Sequence, residues 1–328
     1  MGFETRTDWV AVAHEFGARE LTDGETLDAD DLALVAAYDR FVAQGLHAVG
    51  SCRIDLEPVE NYRWLSAFAE YSGAFAFLVF QQWVANNHLY LPDDRPWPKA
   101  GVGFGQLRNV GRPAPTLCDG VVTGPVPWFT GSGIFDIALL GIRISGDREA
   151  FVWTSAHDRP EFRHSPPFKM LAGTSTRTVR VEVDGLPIDE RELFLVRGAG
   201  AVGDSDSAGA VWQTPLMVGC MRAAVRLLRD APAHRVGSIS RIEARLEALV
   251  YRLEKAIERG TDVVQATELR AEAGDLAVRL ARLTTVGVGG MGLVAPSSAQ
   301  RIYREVLMFN LVGQNDRIVR AAFDGLFI

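Results

Sequence analysis

Apolar residues recur at helical spacing through the first hundred positions. Val35, Tyr38, Phe41 and Val42 fall on one face of a helix. Asp30 and Asp31 stand where an N-cap and a first turn belong, and Gly45 can stop the helix. A second apolar periodicity runs from Tyr62 through Leu65, Phe68, Phe75, Leu78 and Val79 to Trp83 and predicts a helical stretch over 62–83. Pro92, Pro96 and Pro98 then break the pattern.

Between about 100 and 198 the period changes. Short β-rich runs appear at Val121-Val122, 137–142, 151–153, 178–183 and 193–196, punctuated by Gly, Pro, Asp and Ser. That spacing predicts an antiparallel β unit. Arg180-Val181-Glu182-Val183-Asp184 alternates polar and apolar, as a half-exposed strand does. Residues 197–210 are rich in Gly, Ala, Ser and Asp and read as a loop. The helical period then returns in Ile242, Leu246, Leu249, Leu253 and Ile257, and in Leu269, Leu276, Leu280 and Leu283. Two last helices are expected from Ser297 to about Leu311 and from Asp316 onward. The order is helices, β unit, long helices. The expected fold class is therefore α+β, with an N-terminal helical domain over 1–98, a central β-domain over 99–198 and a C-terminal helical domain over 199–328.

Composition narrows the function classes. The chain has 328 residues, 48% of them hydrophobic and 23% charged, with mean hydropathy +0.05, values of an ordinary globular protein. Net charge is 34 − 41 = −7. An acidic chain with dispersed arginines lacks the basic stripe of a nucleic-acid binder. Cys52, Cys118 and Cys220 lie far apart with no CxxC pair, which argues against a disulfide framework or a structural zinc site. The segment 1–15 has no apolar signal core, and the longest apolar stretch, 73–80, is too short to span a bilayer. A cytoplasmic protein with no membrane and no nucleic-acid partner is expected. The six histidines form no HxxxH spacing, and no metal is expected. There is no GxSxG elbow and no Walker A loop, and Gly101-x-Gly103-x-Gly105 lacks the βαβ unit of a dinucleotide site.

Three segments carry a resemblance. Val126-Pro127-Trp128-Phe129-Thr130-Gly131-Ser132-Gly133-Ile134-Phe135-Asp136 resembles the W-[IV]-[TS]-[GN]-[AG]…D segment in the β-domain of acyl-CoA dehydrogenases. Gly289-Gly290-Met291-Gly292, followed by Gln300-Arg301-Ile302-Tyr303-Arg304-Glu305, is similar to that superfamily's GG-x-G…R-x-Y-R-[DE] stretch. More weakly, 173–183 looks like the strand that closes its β-domain. The likeness covers about 100–328 by motif and 30–90 by helical pattern, with an abbreviated N-terminal region.

The resemblance implies FAD as cofactor and an acyl thioester or related substrate, presented by CoA or by a carrier protein. It also implies a homodimer, a homotetramer or a heteromer with a related chain. Trp128 would pack beside the isoalloxazine, Thr130 would bond near N5, and Gln314 would join them. Gly289, Gly290 and Gly292 would line the pyrophosphate site of a neighbouring subunit, where a missing Cβ permits close approach. The same residues have plainer readings. Trp128 can be a core aromatic, the glycines a helix-to-helix turn, and Arg301, Tyr303 and Arg304 members of a packed ion-pair network.

The family's catalytic parts are replaced. Proton removal α to a thioester needs a carboxylate of raised pKa. At the usual position, in Leu311-Val312-Gly313-Gln314, stands Val312, and at the alternative position on the first long C-terminal helix stands Gln213. Neither is a base, so the catalytic residue is unassigned. Glu305 and Asp316 are the nearest acids and read as helix-surface or capping residues. Residues 103–108 occupy the place of the family's flavin-holding loop, and His234-Arg235 is the nearest remnant of its R-x-x-F-G motif. Three readings follow: an atypical FAD-dependent oxidoreductase, resembling at Val312 the superfamily's monooxygenases; a non-catalytic or flavin-deficient partner subunit of a heteromeric acyl-CoA dehydrogenase; or a non-redox protein on the same fold.

Overall fold

A computed structural model of the chain describes residues 7–230, 239–294 and 296–324. Five helices come first: α1 (Trp9–Glu20), α2 (Gly24–Ala29), α3 (Asp31–Ala43), α4 (Pro58–Ala69) and α5 (Gly73–Asn86). Asp30 caps α3 as expected, accepting the N–H groups of Leu32 and Ala33, and Gly45 leaves the helix at φ 72°. The stretch 62–83 is two helices rather than one. The Ser72 hydroxyl accepts the Phe75 N–H and starts α5 afresh. The apolar period carries across the break because both helices face one core. Phe41 sits in its middle, with the rings of Phe16, Tyr38, Trp64, Phe68 and Phe75 at centroid distances of 5.4–6.1 Å.

The strands are β1 (Ala100–Gly103), β2 (Thr116–Cys118), β3 (Val121–Phe129), β4 (Ile137–Ile144), β5 (Arg148–Ser155), β6 (Phe162–His164), β7 (Val179–Pro187) and β8 (Phe194–Gly198). They form one sheet in the order β6-β7-β3-β2-β4-β5-β8, with β1 also on β4. The sheet is mixed, not wholly antiparallel, because β1 runs parallel to β4 from Ala100↔Ile137 to Gly103↔Leu140 and β2 touches β4 in parallel. Strand β7 alternates as read, with Val179, Val181 and Val183 buried and Arg180 exposed.

Buried amides fasten α5 to β1. The Gln82 Oε1 atom accepts both the Tyr38 hydroxyl (3.0 Å) and the Ala100 N–H (2.8 Å). The Gln82 Nε2 group donates to Asn86 and to the Pro98 carbonyl. This network sets the angle at which the helical layer meets the sheet.

The remaining helices are α6 (Ala201–Ala208), α7 (Pro215–Arg229), α8 (Ile239–Arg259), α9 (Val263–Val288), α10 (Ser298–Leu311) and α11 (Asp316–Asp324). The expected loop over 197–210 thus contains α6. Its cap is remote in sequence: the Glu149 carboxylate on β5 accepts the N–H groups of Val202 (2.7 Å) and Gly200 (3.3 Å). Leu246, Leu249, Leu253, Leu269, Leu276 and Leu280 are buried as their spacing predicts, whereas Leu283 is exposed. The three cysteines are free. Among the described residues no helix is long and apolar enough to cross a membrane.

Two outcomes follow from this packing. Phe41→Ala leaves a hole among five rings and is expected to lower unfolding free energy by about 3–5 kcal/mol, read as a shift in denaturant midpoint at unchanged slope. His47, whose Nε2 donates to the Trp97 carbonyl, and His88, stacked on Phe151, are both held below the ordinary 6.5, chiefly by burial. Unfolding lets them take up protons at their ordinary value. Their contribution is therefore complete above that value and is lost as pH falls through it toward their folded values. Midpoints at about pH 7.5 and 5.5 should differ less in a His47→Gln/His88→Gln variant than in the parent.

Candidate functional site

A cavity of about 420 Å³ opens where the helical layer, the sheet and the C-terminal bundle meet. Helix α5 contributes Phe77, Phe80, Gln81 and Val84. The end of β1 and the turn after it contribute Val102, Phe104, Gly105, Gln106 and Arg108. Trp128 and Thr130 come from the end of β3, and Thr178 from just before β7. Asp206, Gln213, Met308, Val312 and Gln314 close the far side. Trp128, Thr130, Gln213, Val312 and Gln314, separated by up to 186 positions (314 − 128), thus share one space.

Trp128 is not a core aromatic. It is 60% exposed, its ring edge-on to Phe168 at 5.0 Å, and it forms a flat wall of the cavity. Thr130 lies beside it, nearly buried, in a chain of hydroxyls. The Thr130 Oγ1 atom is 3.1 Å from Thr178 Oγ1, which is 3.0 Å from Thr176 Oγ1, and Thr176 donates to the Gly173 carbonyl at 2.7 Å. Gln106 presents the other fixed polar atom. Its Nε2 donates to the carbonyls of Gly103 and Gly141, both at 3.0 Å, which leaves buried Oε1 with no partner. A buried acceptor at a cavity wall without a donor marks a place for a ligand N–H or O–H.

The opposite wall depends on Arg270 of α9. Its buried guanidinium donates from Nε to Gln213 Oε1 (2.8 Å) and from Nη2 to the carbonyls of Asn310 (3.2 Å) and Val312 (2.7 Å). Burial pulls its pKa down to about 10. Gly313 turns against it at φ 66°, where a Cβ would lie 2.4 Å from the Gln213 side chain. The Gln213 amide is thus held by the cation and by the Asp206 carbonyl at 3.3 Å. Asp206 is the one carboxylate among the described lining residues, and Arg108 pairs with it.

The other sequence candidates lie elsewhere. Gly289, Gly290 and Gly292 do not line the cavity. They form a turn after α9 in which Gly290 is exposed and Gly292 buried: a Cβ on Gly290 would meet nothing within 4 Å, and one on Gly292 would meet Thr285 at 3.1 Å. Glu305 is not on a helix surface. It is wholly buried, bonded to Arg301 at 2.7 Å, and accepts the Gly73 N–H at the start of α5. Desolvation raises its pKa against the pull of Arg301. Arg301 and Arg304 form an ion-pair network with Glu25, Glu305 and Asp28. Asn315, not Asp316, caps α11. His234 and Arg235 lie outside the described residues. Arg270 was not singled out from the sequence, and Gln106 and Thr178 were named only within the stretches 103–108 and 178–183. Their roles rest largely on contacts 35 to 57 positions distant, which no local pattern announces. Among the described residues no cluster of His, Cys, Asp and Glu could hold a metal ion.

The whole chain has the acyl-CoA dehydrogenase fold. It matches butyryl-CoA dehydrogenase from Megasphaera elsdenii with a TM-score of 0.75 at 15% identity, over 100% of both chains. It matches nitrososynthase from Micromonospora carbonacea var. africana with a TM-score of 0.78 at 17% identity, over 98% of this chain and 96% of that one. A glutaryl-CoA dehydrogenase from Mycobacterium smegmatis, solved in complex with FADH2, matches with a TM-score of 0.74 at 13% identity, over 97% and 93%. No family model and no curated protein matches the chain.

The Arg270–Gln213 contact gives a test of the wall. Gln213→Leu strips a buried guanidinium of one acceptor and should destabilise the protein by about 1–3 kcal/mol, measured by urea unfolding. Gln213→Glu should keep the contact at neutral pH. Its gain should disappear on acidification, because the carboxylate's folded pKa is held below its unfolded value by the cation.

Proposed function

We propose that the cavity receives the isoalloxazine ring of FAD and that the protein is a flavin-dependent oxidoreductase acting on an acyl thioester or related substrate. The observation that carries this reading is one space bounded by the exposed indole of Trp128, the Thr130 hydroxyl and the unpartnered Oε1 of Gln106. A flat, largely apolar wall with a few fixed polar atoms suits a planar heteroaromatic ring. Gln106 Oε1 supplies the acceptor that the pyrimidine N–H of such a ring needs. A bound flavin supplies hydride and electron transfer chemistry.

The chain's own residues fix what happens around it. Phe77, Phe80, Val84 and Met308 line the apolar side and would shelter an acyl chain from water. Trp128 would cover one ring face, and Gln314, whose amide donates to the Asn310 carbonyl at 2.7 Å, would border it. Among the described lining residues no side chain is placed to take a proton α to a carbonyl. Val312 and Gln213 have no such capacity, and Asp206 is bound by Arg108. The reading is therefore an atypical member of the fold rather than an ordinary α,β-dehydrogenase. The turn at Gly289, Gly290 and Gly292 would meet the cofactor of a second subunit through its exposed Gly290, a glycine that its own chain does not require.

The purified protein is expected to take up FAD with quenching of tryptophan emission and a shifted visible flavin band. Trp128→Ala should weaken binding about tenfold, which corresponds to about 1.4 kcal/mol. Absence of binding at millimolar FAD in a correctly folded protein would refute the flavin reading. Addition of acyl-CoA to the loaded protein should leave the visible band unbleached.

A further inference from the structure

A second cavity, of about 160 Å³, opens between the turn from α1 to α2, Tyr71 before α5, the end of α7 and the start of α10. It shares no described lining residue with the first. Helix α7 is 15 residues, about 22 Å, long. Gln213, just before it, borders the first cavity, and Arg226, near its end, borders the second. The inner wall of the second cavity is an ion pair that does not close. Arg301 is nine-tenths buried, its side chain 5% exposed. Its Nη1 donates to Glu305 Oε2 at 2.7 Å, but its Nε–H has no acceptor. Glu25 Oε1, a buried atom as well, has no donor. The two atoms stand 3.6 Å apart, too far for a hydrogen bond. Gly24 leaves room beside them, since a Cβ there would fall 2.9 Å from both Nε and Cζ of Arg301.

A donor and an acceptor buried side by side and both unspent cost stability unless one group joins them. A single bridging water needs only about 10–15 Å³ and would leave most of the volume unfilled. The charges around the space have both signs. Arg226, whose guanidinium lies over the Tyr71 ring and donates to the Glu70 carbonyl, joins Arg301. Asp230 joins Glu25. Two cations and two carboxylates among the described lining residues match neither a simple anion nor a simple cation. They match a ligand with a carboxylate and an ammonium on one carbon. Its carboxylate accepts from Arg301 Nε, its ammonium donates to Glu25 Oε1, and the open pair is closed into a ring of charges. Ser298, the first residue of α10, also lines the cavity, and Ser297 before it makes no side-chain cap, so the positive end of that helix stands at the carboxylate site. Leu21, Leu227 and Ile302 give the space an apolar side large enough for a short side chain. We propose that this second cavity binds a free α-amino acid with a small aliphatic side chain, held by the open Arg301–Glu25 pair. The inference does not depend on the flavin reading.

Isothermal titration of the full chain with L-valine, isovalerate, isobutylamine and inorganic phosphate tests this directly. Isovalerate lacks the ammonium and isobutylamine the carboxylate. L-valine should bind saturably and at least tenfold tighter than any of the other three. Glu25→Gln keeps the size of the side chain and removes its charge. It should weaken L-valine at least tenfold and leave isovalerate within threefold of its affinity for the parent. If Glu25→Gln does not fold, Asp230→Asn at the exposed rim serves, with L-valine weakened at least threefold. Trp128→Ala alters only the first cavity and should leave L-valine binding unchanged, so FAD uptake and amino-acid binding succeed or fail separately. No binding of L-valine, equal or tighter binding of isovalerate, isobutylamine or phosphate, or an L-valine affinity untouched by the charge-removing variant would overturn the proposal.

Discussion

A guanidinium buried without a carboxylate is costly, and Arg270 is held in that condition by three neutral acceptors drawn from separate parts of the chain. Those acceptors are the turn at Gln213, the end of α10 at Asn310 and the turn at Val312. Satisfying one cation therefore pins the approach to α7, the exit from α10 and the path of the chain into α11. The far wall of the cavity is the surface of that arrangement. Its near wall, from β3 and β7, is fixed by a different device, the chain of threonine hydroxyls running inward to the Gly173 carbonyl. The space between has the shape it has because two polar networks, each complete within the protein, face each other across it.

That completeness leaves no described lining carboxylate free of a cation. An acid able to accept a proton near neutral pH needs burial without a cation close at hand. Among the described residues, three acids at or behind the cavity are engaged by arginines. Asp206 is held by Arg108, Glu305 by Arg301, and Asp28 by Arg304. The fold is shared with dehydrogenases and with a nitrososynthase, so fold alone does not choose a reaction. The choice lies with the few atoms at the cavity wall.

Much of the architecture was legible in the sequence. The Asp30 cap, the leucine spacing of α8 and α9 and the alternation in β7 are local signals, and the structure carries them out. What escaped was non-local. Helix α6 looks like a loop because its cap, Glu149, lies on a strand some fifty positions earlier. Strand β1 was overlooked because its glycines give no apolar alternation. Gly101 is needed there, since a Cβ would strike Phe135 at 2.4 Å. At the site, the motif residues Trp128 and Thr130 were visible, as was the valine in place of an acid. Gln106 was visible only as part of 103–108, and Arg270 not at all, because an arginine on an amphipathic helix carries no mark of what it will touch. Glu305 looked like surface on helical spacing alone, and a helix neighbour at i−4 gave no hint that Gly73 would close over it.

The grip of Arg270 on the Val312 carbonyl has a further consequence for how such a protein could change over time. Placing a glutamate at position 312 would set the new carboxylate on the very residue whose backbone the guanidinium holds. The cation would keep that acid ionised and weakly basic, the opposite of the poise that proton abstraction demands. A working base there would require removing the arginine as well, and with it the anchor of three chain segments. A chain with Val312 and a chain with a working acid there are thus separated by a valley in stability, which a single substitution does not cross.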